Sequence, residues 1–244
     1  MICEIRSFIG TRTYQEDAAD WCKTEQGLFA AVCDGVGSRA DGGASSRLCA
    51  ARLTESFRKG FTGSYPAFIV DAAEQIDREI YEKYGDRCGT TAVTAYISGH
   101  ELYWFSVGDS RLYIYRNGRL KQITTDHDYA YVLGLRRQKN LIDEATYLAE
   151  QPKGSRLASY FGMNGLDIVD VSLQPLLLEQ NDILLLMTDG LYKQIGDEQI
   201  TEILNRHHQP AQAADCLIAA VMQSEGAIDN TTVAVIGYNT EEQK

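Results

Sequence analysis

Acidic residues at the ends of strand-like segments carry the chemistry this sequence could do. Asp34 ends the apolar run 28–33 and precedes Gly35-Val36-Gly37. Asp109 ends the segment 102–108, Asp189 follows 183–188 and precedes Gly190, and Asp229 stands just before 231–238. Glu16-Asp17 lies between the first two strand-like segments. A lone carboxylate at the end of a core strand is expensive to bury and needs a partner. Lys and Arg are few nearby, so divalent cations are the obvious alternative. The donors are all oxygens, with no His or Cys cluster beside them, which suits hard ions such as Mg²⁺ and Mn²⁺ and not zinc. Asp-Gly also makes a good hairpin turn, but a hairpin needs a strand on each side. Asp34-Gly35 runs instead into the Gly/Ser-rich stretch 37–46 and a helical pattern, and Asp189-Gly190 into 191–195 and another.

The elements that must position these acids are legible as two kinds of segment. Strand patterns cover 3–9, 28–33, 91–97, 101–107, 111–116, 119–123, 168–173, 182–187 and 231–238. The turn pair Asn117-Gly118 is the strongest hairpin signal in the chain. Helical periodicity covers 44–59, 65–84, 198–205 and 211–224. Strands and helices do not alternate one for one, which disfavours a doubly wound parallel sheet. Sequential hairpins with paired helices predict stacked antiparallel sheets flanked by helices.

Composition narrows the function classes. The chain has 244 residues, and 34 acidic against 23 basic side chains give a net charge of −11. An acidic chain without a basic patch repels a phosphate backbone, so general nucleic-acid binding is excluded. The six cysteines include no CxxC pair, which points to free thiols in a reducing compartment. Residues 183–187, the longest strictly aliphatic run, are too short to span a membrane. Glu4 and Arg6 interrupt the N-terminal apolar stretch, unlike a signal peptide. A cytoplasmic protein with no membrane partner is expected. With only four prolines, no linker and no repeat, residues 1–244 read as one domain.

Seven short motifs, in order, resemble the metal-dependent Ser/Thr protein phosphatases of type 2C. Arg12-Thr13-Tyr14-Gln15-Glu16-Asp17 is similar to that family's RxxNED element, and Asp34-Gly35-Val36-Gly37 with Gly42-Gly43-Ala44-Ser45 to its DGxGG and GxxAS elements. Gly89-Thr90-Thr91, Val107-Gly108-Asp109-Ser110-Arg111, Thr125-Asp126-His127, Thr188-Asp189-Gly190-Leu191 and Asp229-Asn230-Thr231-Thr232 complete the set. The resemblance spans residues 5–238. It implies an α+β fold, a four-layer αββα sandwich of two antiparallel sheets flanked by helix pairs. It implies hydrolysis of phosphoserine and phosphothreonine in proteins by a water bridging two Mn²⁺ or Mg²⁺ ions. Carried over by motif, Asp34 would bridge both metals and the Gly35 carbonyl would bind one. Asp189 and Asp229 would hold the first metal, and Glu16 and Asp17 would serve the second. Asp109 with Asp189 would match a third, weaker position. Arg12 matches the phosphate-binding arginine, and a guanidinium suits bidentate phosphate contact. The implied partner is a phosphoprotein, with a Ser/Thr kinase opposing the enzyme and the chain acting in signalling as a monomer.

The sequence also departs from that pattern. Val36 stands where many eukaryotic relatives have a His proposed to protonate the leaving alkoxide, and valine cannot do so. Ser38-Arg39 replaces the second glycine of DGxGG and the residue after it. His127, beside Asp126 at a strand end, reads as a hydrogen-bonded structural residue. Residues 128–154 would form a variable flap, whose Arg136, Arg137 and Lys139 are either a solvated loop or a dock for an acidic partner. Two alternatives share the fold: a pseudophosphatase that only binds, and a hydrolase of small phosphoesters. The first is disfavoured because Asp34, Asp189 and Asp229 are all present.

Overall fold

The structure, a computed structural model, describes residues 1–37 and 40–239, with the main chain only at 40 and 41. The substitution at Ser38-Arg39 therefore lies outside the described residues. In chain order the elements are β1 (Ile2–Phe8), β2 (Ala18–Thr24), β3 (Gly27–Cys33), β4 (Gly35–Gly37), α1 (Ala40–Arg58), α2 (Tyr65–Tyr84), β5 (Cys88–Thr90), β6 (Ala92–Ser98) and β7 (Glu101–Val107). Then come β8 (Arg111–Arg116), β9 (Arg119–Gln122), α3 (Tyr129–Gln138), α4 (Glu144–Glu150), β10 (Asp170–Val171), β11 (Leu176–Leu177), β12 (Ile183–Met187), α5 (Asp189–Arg206), α6 (Pro210–Met222) and β13 (Thr231–Gly237).

Two antiparallel sheets stack face to face. One runs β1-β13-β12-β8-β9, the other β10-β7-β6-β3-β2 with β11 beside β7, and β4 pairs with β5 as a small ribbon. The α+β sandwich expected from the sequence is present. Strand β3 shows why its run is apolar throughout. Leu28, Ala30 and Val32 face Leu112, Leu184 and Ile236 between the sheets. Phe29, Ala31 and Cys33 face outward onto Leu53 and Phe57 of α1 and Ile69 and Ile76 of α2. A strand covered on both faces cannot alternate. On the other side Leu185, Met187, Val233 and Val235 pack on Leu191 and Leu204 of α5 and Leu217 and Val221 of α6. The helix pairs form the outer layers.

Asn117 (φ 53°) and Gly118 (φ 77°) make the tight β8–β9 turn, as the dipeptide predicts. None of the six cysteines is in a disulfide, and no helix among the described residues is long and apolar enough to cross a membrane. The structure corrects three element readings. Residues 18–24 form β2, which the sequence reading missed because Asp20 and Lys23 break its apolar character. The strand expected at 168–173 shrinks to β10. The flap at 128–154 is not a plain loop but holds α3 and α4, whose N-caps Asp128 and Asp143 accept the amides of Tyr131 and Thr146 at 2.8 Å each. Within it, Arg137 is paired with Glu144 at 2.7 Å and lies 4.6 Å over the Tyr147 ring. That charge is already spent inside the flap.

Candidate active site

The hairpin topology gathers the acids at one end of the sandwich. In the register of β2 with β3, Ala18 opposes Cys33, so Asp17 and Asp34 emerge side by side. In the register of β12 with β13, Met187 opposes Val233, so Asp189 leaves one strand where Asp229 approaches the other. Asp109 sits in the turn after β7, whose Val107 opposes Ala92 of β6. A cavity of about 270 Å³ opens there, walled by Arg12, Glu16, Asp34, Asp109, Asp189 and Asp229, with Gly35 and Val36 in its lining. Every residue expected at the site lines this cavity except Asp17, which lies behind its wall, 5% exposed.

A hydrogen-bonded frame holds the acids. The Asp34 carbonyl accepts the Thr91 amide at 2.9 Å and the Thr90 hydroxyl at 2.8 Å. The Gly35 amide donates to the Glu16 carbonyl at 3.1 Å, and Ser46 Oγ donates to the same oxygen. The Glu16 amide donates to Asn230 Oδ1 at 2.7 Å, and Asn230 Nδ2 to the Ile9 carbonyl at 2.8 Å. A Cβ at Gly35 would stand 2.5 Å from the Gly42 main chain and 2.6 Å from the Glu16 oxygen. The start of α1 can therefore close on the Glu16 loop only over a glycine. Asn230, which entered the sequence reading only as part of the motif 229–232, is a positioning residue. Its amide ties together the N-terminal loop and the approach to β13.

The electrostatics are those of a site short of positive charge. Burial first, then the charges of Asp17, Asp189 and Asp109, push the Asp34 carboxyl well above the ordinary carboxylate range. Burial pushes Asp17 up to about 7 against hydrogen bonds from Thr188 and Thr232, with Asp189 and Asp229 adding to the rise. Burial and the charge of Asp189 raise Asp109 to about 6, and Glu16 is also raised, mainly by burial. Glu16 Oε1 and Asp17 Oδ1 are buried with no hydrogen-bond partner. Buried polar atoms are normally paired. Crowded, protonation-prone carboxylates with orphaned oxygens are the donor set a hard divalent cation would satisfy. Among the described residues no trio of acids is already drawn into a metal cage.

Among the described residues, the chain's own cations stand at two edges of the cavity. Arg12 Nη2 lies 2.5 Å from Asp229 Oδ2. Lys193 Nζ lies 2.6 Å from Asp189 Oδ2 and 3.5 Å from Asp109 Oδ2. Lys193 was not singled out from sequence, although its place four residues after Asp189 on a helix is a readable signal. His127 is 2% exposed, and its Nδ1 accepts the Gly108 amide at 3.3 Å. It holds the turn before Asp109 and does not line the cavity, in keeping with a structural reading.

Residues 6–225 match the sequence model of the family described as protein phosphatase 2C. The serine/threonine phosphatase stp of Listeria innocua is 26% identical over 217 residues, 85% of this chain and 83% of that protein. The solved structure of the Mycobacterium tuberculosis serine/threonine phosphatase PstP/Ppp has a TM-score of 0.77 at 26% identity, covering 98% of each chain. A structure of the catalytic domain of serine threonine protein phosphatase PstP in complex with two manganese ions has a TM-score of 0.73 at 26% identity, covering 96% of each chain. The family match reaches from β1 through α6, and so takes in most of both sheets and four of the five cavity acids. The chain belongs to the protein phosphatase 2C family.

Proposed function

We propose that the chain hydrolyses phosphoserine and phosphothreonine in proteins, with Mn²⁺ or Mg²⁺ held by Asp34, the Gly35 carbonyl, Asp189, Asp229 and the Glu16-Asp17 pair. The observation that carries this reading is the convergence of five acids on one cavity, with orphaned oxygens on Glu16 in its wall and on Asp17 behind it. Two divalent ions, when bound, would supply an acidified water as nucleophile and a positive field for in-line displacement at phosphorus. The residues do the rest. Asp34 and Glu16 are fixed through their own main chains, which holds both carboxyl groups at the cavity wall. Arg12 is 56% exposed in its side chain and is free to turn from Asp229 to a phosphate entering the cavity. Val36 offers no proton, and His127 does not line the cavity, so neither protonates the leaving alkoxide.

Residues 1–244 would act as one catalytic unit in the cytoplasm, as a monomer in signalling opposite a Ser/Thr kinase, with the α3–α4 flap beside the cavity. The test is phosphate release from a phosphothreonine peptide and from a small aryl phosphate, each with Mn²⁺ and with chelator. Mn²⁺-dependent turnover of the peptide supports the reading. Full activity in a metal-stripped sample overturns the metal role, turnover of the aryl phosphate alone makes it a small-phosphoester hydrolase, and no turnover of either makes it a binding module.

A further inference from the structure

The cavity acids fall into two sets. Among the described residues, Glu16, Asp17 and Asp34 have no basic side chain in hydrogen-bond contact, and two of their oxygens are orphaned. Asp109 and Asp189 share one ammonium, that of Lys193, one helical turn beyond Asp189 on α5. These two acids come from different elements, the β7–β8 turn and the start of α5.

The Lys193 side chain is half exposed, but its neighbours fix where it points. Its neighbour Tyr192 donates its hydroxyl to the Asp109 carbonyl at 3.0 Å. The Tyr192 ring lies 3.5 Å under the Arg111 guanidinium, which grips Asp126 through Nε at 2.9 Å and Nη2 at 2.6 Å. Gly190 packs so closely on the Asn230 main chain that a Cβ would stand 2.1 Å from its oxygen. The first turn of α5 is thus pinned on both sides, and the lysine stem leaves it aimed at the Asp109–Asp189 gap.

We infer that Lys193 is the resident cation of the Asp109–Asp189 pair, so that this chain takes divalent ions only at the remaining acids and excludes one from that gap. The inference rests on the metal reading above. A divalent ion between Asp109 and Asp189 would meet the ammonium at contact distance, where like charges repel. The ammonium offsets one of the pair's two negative charges, and a third ion would have to displace it. Lys193 acts as a positioning residue, fixing the Asp189 carboxylate for the ions on its other side.

The experiment counts bound Mn²⁺ by equilibrium dialysis of the full chain at saturating free metal, with circular dichroism to confirm folding. The set is wild type, Lys193→Met, Lys193→Gln, Lys193→Arg, and Lys193→Met combined with Asp109→Asn. Wild type and Lys193→Arg should bind two ions, Lys193→Met and Lys193→Gln three, and the double variant two again. Three ions on wild type, or two on both neutral variants, would overturn the inference and leave the metal reading standing. No Mn²⁺ on wild type would overturn both.

Discussion

Asp17 and Asp182 are both buried acids at the starts of sheet strands, 5% and 1% exposed, at opposite ends of the sandwich. Asp182 is fully engaged. Arg116 grips it through Nε at 2.8 Å and Nη2 at 2.6 Å, and the Glu179 amide donates at 2.7 Å. Arg116 also reaches Glu179 and the Leu177 carbonyl. Asp17 has a hydroxyl from Thr188 at 2.9 Å on one oxygen and nothing on the other. One end of the sheet carries a complete ion pair that ties β8 to the start of β12. The other collects carboxylates of which Glu16, Asp17 and Asp34 meet no cation among the described residues, while Arg12 and Lys193 serve the rest. A buried acid supplied with its own cation is architecture, and one left without is a place where something from outside is to bind.

Four substitutions or titrations would break or sharpen that contrast. The largest effect is expected at Asp34. Asp34→Asn should cut kcat on a phosphothreonine peptide at least about a thousandfold, some 4 kcal/mol of barrier. Its thermal unfolding without metal should not worsen, because one of several repelling charges is gone. A near-normal rate would remove Asp34 from the site.

At the opposite end the outcome should invert. Arg116→Ala leaves Asp182 buried without its cation and should cost about 3 kcal/mol of stability by urea unfolding. Mn²⁺ stoichiometry should be unchanged. A loss of metal binding without a loss of stability would erase the distinction between the two ends.

The third test is pH. The folded-state pKa of Asp17 is raised to about 7 from an ordinary 3.8, so the folded chain holds a proton that the unfolded chain releases. That contribution is fully present below pH 3.8 and is lost as pH rises through 7. Metal-free protein should therefore lose on the order of 2 kcal/mol of stability between about pH 5 and pH 8. Asp17→Asn should flatten the slope, and a slope unchanged in that variant would refute the assignment. The smallest effect is at the rim. Arg12→Ala should raise KM for the phosphopeptide about tenfold while kcat falls less, as expected when a group holds the phosphate in ground and transition states alike. A collapse of kcat at constant KM would contradict that role.

Much of this molecule was readable before its fold was known, where the signal is local. Tyr65–Tyr84, Glu101–Val107 and Arg111–Arg116 were bounded correctly because their periodicity and flanking turns lie within their own residues. Asp34, Asp109, Asp189 and Asp229 could be singled out because each interrupts or ends an apolar run, and a carboxylate there must answer to something. Strand β2 was missed because its polar residues are tolerated only beside β3, a long-range fact. The flap helices were missed although Asp128 and Asp143 are good caps, since short helices draw their stability from packing more than from propensity. What no spacing could say is which acids the chain itself compensates. Arg116 and Asp182 are 66 residues apart, Arg12 and Asp229 are 217 apart, and Lys193 lies 84 residues from Asp109. The charges are written in the sequence, but whether two of them meet depends on sheet register and on where a helix is pinned. Tertiary structure alone therefore decided which carboxylates are held by a cation of the chain and which are left to receive one.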